Sequence, residues 1–431
     1  MAPLQYGRSA FDTFKQQFVI MTESELLGYF VLMEAGSMER IGIYGGSFNP
    51  PHIGHIRAAR EAVLELGLDS LYLLPAGEVP GKTPPEGSAS VRQRLRMLEL
   101  AAEDCPNLRV SDYDACRERC RTWETVEHFA RAHPGAELTV VVGSDQLAKL
   151  PDWENGAYVL EHAQIAVARR GLAGEDTLLR EKTALLRQMG GRVRVLDNPV
   201  EPISSTQLRR LLAFGCGWEF LPPGAEDFIR REGLYHVNAN WKNLPMEQLE
   251  GVVLSLLNPN RIRHVLGCRD TAVELARRWG ADETDAARAG ILHDITKALD
   301  GPLQLTLCAS YGKMLTDFSR KYPKTLHALT GSLVAERIFG ENPQVVSAIC
   351  HHTTGRAGMN MLETIIYVAD YMEPNRDFPG VERLRELAFT DIQAALKLGL
   401  EMTLEHLKKQ GSEVSPESRE ALAYCEKRVS K

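Results

Sequence analysis

The stretch Gly45-Gly46-Ser47-Phe48-Asn49-Pro50-Pro51-His52-Ile53-Gly54-His55 decides how the first half of this chain reads. It follows the apolar run Ile41-Gly42-Ile43-Tyr44, and behind it Ile56, Ala59, Val63 and Leu66 recur at helical spacing. A strand therefore hands over to a helix through a turn rich in Gly and Pro, with two histidines at the handover. A helix start offers unpaired N–H groups and a positive dipole end to phosphate. Imidazoles there can add protons or hydrogen bonds to charge that builds on a phosphoryl oxygen. So many special residues in this order point to phosphate chemistry rather than to a plain structural corner.

Working outward, short apolar runs at 41–44, 71–74, 138–142, 164–168 and 193–196 predict strands. Amphipathic stretches lie between them, such as 89–103 with Val91, Leu95, Leu98 and Ala102 on one face. Strands alternating with helices imply βαβ units and a parallel sheet, whose ligands bind beyond the carboxyl ends of the strands. The alternation stops near 236. The polar, Pro-broken stretch from His236 to Pro245 suits a linker, and almost everything after it reads helical. The expected organisation is an α/β domain over 38–236, a linker over 237–245 and an all-α domain over 246–431. Residues 1–37 are expected to be an extension of unknown role, with Met33 or Met38 as alternative natural starts.

Bulk numbers narrow the class. At 431 residues, two domains is the natural expectation, and 44% apolar with 25% charged residues is ordinary for a globular protein. A formal net charge of −7 argues against a general nucleic-acid binder. The eight cysteines are scattered, and Cys116 and Cys120 form only a C-x3-C pair without a second pair at zinc spacing. They read as reduced thiols. No apolar run approaches the roughly 20 residues of a membrane span. A cytoplasmic protein without membrane or nucleic-acid partners is expected.

Further segments support the opening motif. Val142-Gly143-Ser144-Asp145 places a carboxylate at a strand end, where a ribose hydroxyl could be held, and Trp153 follows. Ile203-Ser204-Ser205-Thr206-Gln207-Leu208-Arg209 has the N-cap chemistry of a helix start with an arginine in its first turns. Hydroxyls, backbone N–H groups and a guanidinium there suit a triphosphate. Together these residues resemble the nucleotidyltransferase superfamily, a Rossmann-like α/β fold marked by His-x-Gly-His and Ile-Ser-Ser-Thr-x-x-Arg. Within it the chain looks most like the bacterial nicotinate-nucleotide adenylyltransferases, over about 39–236. The resemblance implies transfer of AMP from Mg²⁺-bound ATP to nicotinate mononucleotide. It implies His52, His55 and Arg209 as catalytic, and Gly46, Ser47, Phe48, Lys82, Asp145, Trp153, Ser204 and Ser205 as substrate contacts. Two segments depart from the family pattern. Gly81-Lys82-Thr83-Pro84 stands where Pro-Pro-His-Lys is usual, and Cys120-Arg121-Thr122-Trp123-Glu124-Thr125 where Ser-Tyr-Thr-x-Asp-Thr is usual. Both border the acceptor in the family, so phosphopantetheine adenylyltransferases and cytidylyltransferases are the rival readings.

In the second half the informative feature is His293-Asp294 followed by Lys297, with His264 upstream and His327, His351-His352 and Asp370 downstream. Imidazole plus carboxylate suits iron, manganese or zinc, and thiolate is absent from the set. Adjacent residues on a helix diverge, so the pair is expected at a helix bend, where both reach one ion. Lys297, one turn beyond His293, can meet a phosphate. Only His406 among the six histidines after residue 240 is left outside the set.

The order His…His-Asp…Asp resembles the HD phosphohydrolase superfamily. Arg261-Ile262-Arg263-His264-Val265-Leu266-Gly267 and Tyr367-Val368-Ala369-Asp370-Tyr371-Met372-Glu373-Pro374-Asn375-Arg376 look like its branch that splits diadenosine tetraphosphate into two ADP. That resemblance implies His264, His293, Asp294 and Asp370 as ligands of a divalent metal, iron foremost. It gives Lys297, His327, His351, His352 and Arg376 to phosphates, with His327 and His351 as first candidates for a second ion. The competing readings make this half a nucleotide-binding regulatory module, or a hydrolase of other nucleotides.

Overall fold

The computed structural model describes residues 38–77, 85, 87–117, 119 and 121–429. The expected N-terminal extension, Lys82 and Cys120 lie outside the described residues. Six strands form one sheet: β1 (Arg40–Gly46), β2 (Ser70–Pro75), β3 (Leu108–Val110), β4 (Glu137–Gly143), β5 (Ala163–Ala168) and β6 (Val193–Val195). Their order in space is β3-β2-β1-β4-β5-β6, with every neighbouring pair parallel. Central β1 sets Ile41 against Ser70 on one side and Leu138 on the other. The strand order reverses between β1 and β4, which opens a crevice beyond their carboxyl ends. All five expected strands are present. The sixth, β3, went unpredicted because Leu108-Arg109-Val110 runs into polar Ser111-Asp112, whereas the equally short β6 is extended by buried Leu196.

Helices cover both faces of the sheet. In this half they are α1 (Ile53–Leu66), α2 (Val91–Ala102), α3 (Thr122–Ala132), α4 (Ser144–Leu147), α5 (Gly156–His162), α6 (Glu175–Gln188), α7 (Ser205–Ala213) and α8 (Ala225–Glu232). One face packs Ile43, Val140 and Ile165 against Phe129, Leu160 and Leu186 of α3, α5 and α6. The other packs Leu71, Leu73 and Ala166 against Ile56, Ala59 and Leu98 of α1 and α2. Burial on both faces is why these strands read as near-continuous apolar runs.

The second half is all helical: α9 (Met246–Leu256), α10 (Ile262–Trp279), α11 (Glu283–Leu292), α12 (Gly301–Ser310), α13 (Asp317–Lys321), α14 (His327–Val334), α15 (Pro343–His351), α16 (Met361–Met372), α17 (Val381–Thr390), α18 (Ile392–Lys409) and α19 (Pro416–Val429). Helix α10 packs on α11 and α16. Gly290 permits the close approach of α10 and α11, because a Cβ there would stand 2.7 Å from the Arg269 Cα.

The halves share an apolar core. Leu211, Phe214, Phe228 and Ile229 of the first join Leu249, Val253 and Leu307 of the second. Three hydrogen bonds cross as well: Arg210 Nε to Leu256 O (2.6 Å), Tyr311 OH to Phe214 O (2.6 Å) and Gln207 Nε2 to Asp300 Oδ2 (3.2 Å). The stretch 237–245 is itself packed. Trp241 is buried and stacks on Phe339 with ring planes 7° apart, and Asn243 N donates to Phe339 O at 2.9 Å. Among the described residues no helix is long and apolar enough to cross a membrane. The described cysteines, Cys105, Cys116, Cys216, Cys268, Cys308, Cys350 and Cys425, are free thiols.

Arg288 of α11 anchors that stretch. Its Nη1 donates to Leu244 O (2.8 Å), while Nε and Nη2 form a fork on buried Glu341 at 2.7 and 2.6 Å. Arg288→Ala leaves the Glu341 carboxylate buried and unpaired, and is expected to destabilise the protein by about 3–5 kcal/mol in urea denaturation.

Candidate active sites

Beyond β1 the chain turns sharply through Phe48, which has φ 44° and is fully buried edge-on to Tyr44 and His55. Side chains from elsewhere hold the loop by its carbonyls. Arg94 Nη1 donates to Ser47 O (2.7 Å), Arg209 Nη1 to Asn49 O (2.6 Å) and Ser205 Oγ to Pro50 O (2.8 Å). Tyr235 OH adds a bond to Asn49 Oδ1 at 2.8 Å.

His52 caps α1, and His55 is that helix's third residue. The His52 backbone N–H donates to His55 Nδ1 at 3.1 Å, so the proton of neutral His55 sits on Nε2. His55 lines a cleft of about 690 Å³ together with Gly46, Ser47, Phe48, Asp145, Trp153, Ser204, Ser205 and Arg209. His52 lies one layer behind, its ring 3.6 Å from that of His55, and neither of its nitrogens has a hydrogen-bond partner. Gly54 makes room for that ring, since a Cβ would stand 3.0 Å from His52 Nδ1. Burial, with Arg170 nearby, pushes His52 down to about 3. Burial, then His52 and Arg170, holds His55 well below the usual imidazole range. Both rings are accordingly neutral at pH 7.

The opposite wall is the start of α7. Ser204 and Gln207 form a reciprocal capping box, with Ser204 N donating to Gln207 Oε1 at 3.1 Å and Gln207 N to Ser204 Oγ at 3.3 Å. Asp145 is the second residue of α4, with Oδ2 accepting from Gln146 Nε2 (2.9 Å) and Oδ1 lying 3.6 Å from Arg170 Nη1. Two charged cleft residues escaped the sequence reading. Arg170 stands two residues past β5, where the strand-end rule could have found it. Asp114, whose Oδ1 accepts from Thr125 Oγ1 at 2.8 Å, follows the unpredicted β3.

In the helical half, His293 and Asp294 stand where α11 ends rather than at a bend within a helix. Four histidines there share one design. Nδ1 of His293 donates to Gly290 O (2.8 Å), that of His327 to Lys324 O (2.9 Å) and that of His352 to Ile349 O (2.7 Å). Nδ1 of His264 donates to the Glu373 carboxylate at 3.1 Å. Each ring is thereby turned so that its Nε2 lone pair faces inward, the usual outer-shell arrangement of metal-ligating histidine. His264 Nε2 lies 3.2 Å from His293 Nε2, 3.6 Å from Asp294 Oδ2 and 3.2 Å from Asp370 Oδ1. Two Nε2 lone pairs cannot hydrogen-bond to one another. That spacing matches adjacent ligands around one ion with bonds of roughly 2.1 Å. Two overlapping triads qualify as metal ligands, His264-His293-Asp370 and His293-Asp294-His352. His352 therefore joins the metal-capable set, whereas the sequence reading gave it to phosphate.

Lys297 Nζ lies 2.8 Å from His327 Nε2, and Arg376 Nη2 donates to Asp370 Oδ1 at 2.6 Å. Arg261 forms an ion pair with Asp294. A second cleft, of about 600 Å³, opens onto Lys297, His327, His352, Asp370 and Arg376. His351 is not brought into this group. Its Nδ1 bonds Ser347 O at 2.9 Å, 3.5 Å from Glu363 Oε1. Burial lowers His293 and His327 well below the usual imidazole range, and takes His352 to about 4. Burial would raise Asp370, but its contacts with His264, His293 and Arg376 outweigh it and hold the carboxyl well below its usual range. Glu373, which orients His264, was quoted in the sequence motif without a role; its place on the turn after α16 becomes legible only in three dimensions.

Comparison with known proteins finds relatives for each half of the chain. A cytidylyltransferase-like family matches residues 43–211, and the HD domain family matches residues 261–375. A Neisseria gonorrhoeae protein named "probable nicotinate-nucleotide adenylyltransferase" is 39% identical over 201 residues, 46% of this chain and 99% of its own. The Bacillus subtilis symmetrical bis(5'-nucleosyl)-tetraphosphatase is 38% identical over 173 residues, 40% of this chain and 92% of its own. A Mycoplasma pneumoniae protein named "probable nicotinate-nucleotide adenylyltransferase/Ap4A hydrolase" is 28% identical over 377 residues, 85% of this chain and 98% of its own. The first half of this chain belongs to the nicotinate-nucleotide adenylyltransferase family, and the second to the HD-domain family of the symmetrical bis(5'-nucleosyl)-tetraphosphatase.

Proposed function

We propose that this chain is a bifunctional cytoplasmic enzyme, a transferase over residues 38–236 and a hydrolase over 246–431. In the first reaction a phosphate oxygen of nicotinate mononucleotide bonds to the α-phosphorus of ATP. The bond from that phosphorus to the bridging oxygen breaks, releasing deamido-NAD and pyrophosphate. The observation that carries this reading is the neutral, Nε2-protonated His55 facing a cleft whose opposite wall offers Ser205 and Arg209. His55 donates to charge developing on the transferred phosphoryl group, and His52 supports its ring from behind. Ser204, Ser205 and Arg209 take the triphosphate, Asp145 a ribose hydroxyl, and Trp153 the pyridine ring. Mg²⁺ bound with ATP supplies charge neutralisation.

In the second reaction one water adds to a central phosphorus of diadenosine tetraphosphate, the central P–O–P bridge breaks and two ADP leave. The carrying observation is the inward convergence of imidazole Nε2 atoms with Asp294 and Asp370. We assign His264, His293, Asp294, His352 and Asp370 to a divalent metal, with iron, manganese and zinc all compatible with an imidazole–carboxylate set. When bound, the ion supplies Lewis acidity toward phosphate oxygens and acidifies a water molecule. Lys297 and Arg376 bind and orient the phosphates, and His327 Nε2 accepts from Lys297 Nζ to position it.

Purified protein given ATP, Mg²⁺ and nicotinate mononucleotide is expected to release pyrophosphate. Product with phosphopantetheine and none with the mononucleotide would overturn the acceptor. His55→Ala is expected to lower adenylyl transfer about 10²–10³-fold, the loss typical of one transition-state donor, while ADP formation from diadenosine tetraphosphate is unchanged. Asp294→Ala should do the reverse. Chelation is expected to remove hydrolysis, and readdition of iron, manganese or zinc separately identifies the ion that restores it.

The buried pair also makes stability pH-dependent. The unfolded chain takes up a proton near 6.5 that folded His52 refuses until about 3, so stability falls as pH drops through that window. His52→Asn is expected to shrink this fall, read as a smaller acid shift of the urea midpoint.

A further inference from the structure

A third cleft, of about 620 Å³, lies beside the metal cluster and has no part in the roles assigned above. Its walls include Phe318, Tyr322, Pro323 and Leu407, with Lys321 and Lys324 at the same segment. Thr353 and Thr403 line both this cleft and the one over the metal cluster, so the two adjoin. Thr353 Oγ1 lies 3.1 Å from His327 Nε2, placing the junction at the phosphate-facing end of the cluster. The clefts are similar in size, and each carries a pair of half-buried aromatic rings. Tyr371 and Phe378 stand 5.3 Å apart in the first, and Phe318 and Tyr322 stand 4.9 Å apart in the second. Both volumes fall in the usual range for small-molecule sites, and aromatic faces are what nucleobases stack on.

We infer that the Phe318–Tyr322 cleft is a second nucleoside subsite, so that a dinucleoside polyphosphate lies across the metal cluster with one base in each cleft. This rests on the hydrolase reading and deepens it. A substrate with identical ends needs two comparable base pockets flanking one reactive centre. With the bases held on either side, the middle of the polyphosphate chain falls at His327, His352 and Asp370. Central cleavage then follows from placement alone: water adds to one central phosphorus, and each cleft releases a nucleoside diphosphate.

The test compares diadenosine tetraphosphate with adenosine 5'-tetraphosphate, which lacks the second nucleoside, on the full-length metal-loaded protein. Tyr322→Ala and Phe318→Ala are expected to lower the kcat/KM preference for the dinucleotide about tenfold, the effect of losing one base–aromatic stack. Tyr322→Phe keeps the ring but loses the hydroxyl bond to Glu413, and is expected to retain the preference. Adenylyl transfer by the other half reports that each variant is folded. An unchanged preference in both alanine variants, with transfer intact, overturns the subsite. The ratio of dissociation constants for the two compounds is measured alongside turnover. If the wild-type protein cleaves neither compound, the hydrolase reading fails. The subsite then stands or falls on whether Tyr322→Ala lowers that binding ratio.

Discussion

The grip of α7 on the loop after β1 is the constraint on which the rest depends. Arg209 and Ser205 hold consecutive carbonyls, those of Asn49 and Pro50, and Tyr235 holds the Asn49 side chain. These bonds fix the backbone from which His52 and His55 start α1. The next residue on the helix, Arg210, binds Leu256 O across the boundary, and Gln207 reaches Asp300 at the start of α12. One nine-residue helix thus shapes a phosphate cleft with one side and seats the second half of the chain with the other. The apolar faces around Leu211 and Phe214 close the same joint. An interface with a continuous apolar core and few hydrogen bonds resembles a domain core more than a transient contact.

Both sites use neutral, buried imidazoles, yet for opposite ends. The choice is made by what the backbone does to Nδ1. In the first half a backbone N–H donates to His55 Nδ1, which leaves Nε2 carrying the proton, a donor for phosphate charge. In the second half Nδ1 of His293, His327 and His352 donates to a backbone carbonyl, which leaves Nε2 as a lone pair, a ligand for a cation. Burial lowers the imidazole basicity in both places, so neither site spends its chemistry on a fixed positive ring. A helix start supplies free N–H groups and a helix end supplies free carbonyls. His55 sits at the former and His293 at the latter, and the two tautomers follow from that.

Much of this was legible in the sequence. The strands carry continuous apolar runs because both faces of the sheet are covered, and the Gly-, Pro- and His-rich turn announced its place at a strand end. What was lost follows from length and angle. Polar Ser111-Asp112 follow β3 directly and leave no apolar run to detect, and Asp114 was lost with it. Asp145 was found because its strand is long, whereas Arg170 at the end of an equally clear strand was passed over for want of a motif around it. His351 and His352 cannot be separated by sequence, since neighbours on a helix differ by about 100° in direction. The end of α15 turns His352 toward Asp294 and leaves His351 against Ser347 and Glu363.

The same angular argument explains why the helical site could be read as a set but not as an arrangement. Its ligands come from α10, the end of α11, the end of α15 and α16, and no two of these segments are fixed relative to one another by local sequence. Their convergence depends on packing: Gly290 lets α10 and α11 approach, and Glu373 ties the end of α16 to His264. Arg376, on the turn beyond α16, then reaches back to Asp370. A motif names the chemistry available to a chain. The close helix contacts decide which of the named side chains share a centre.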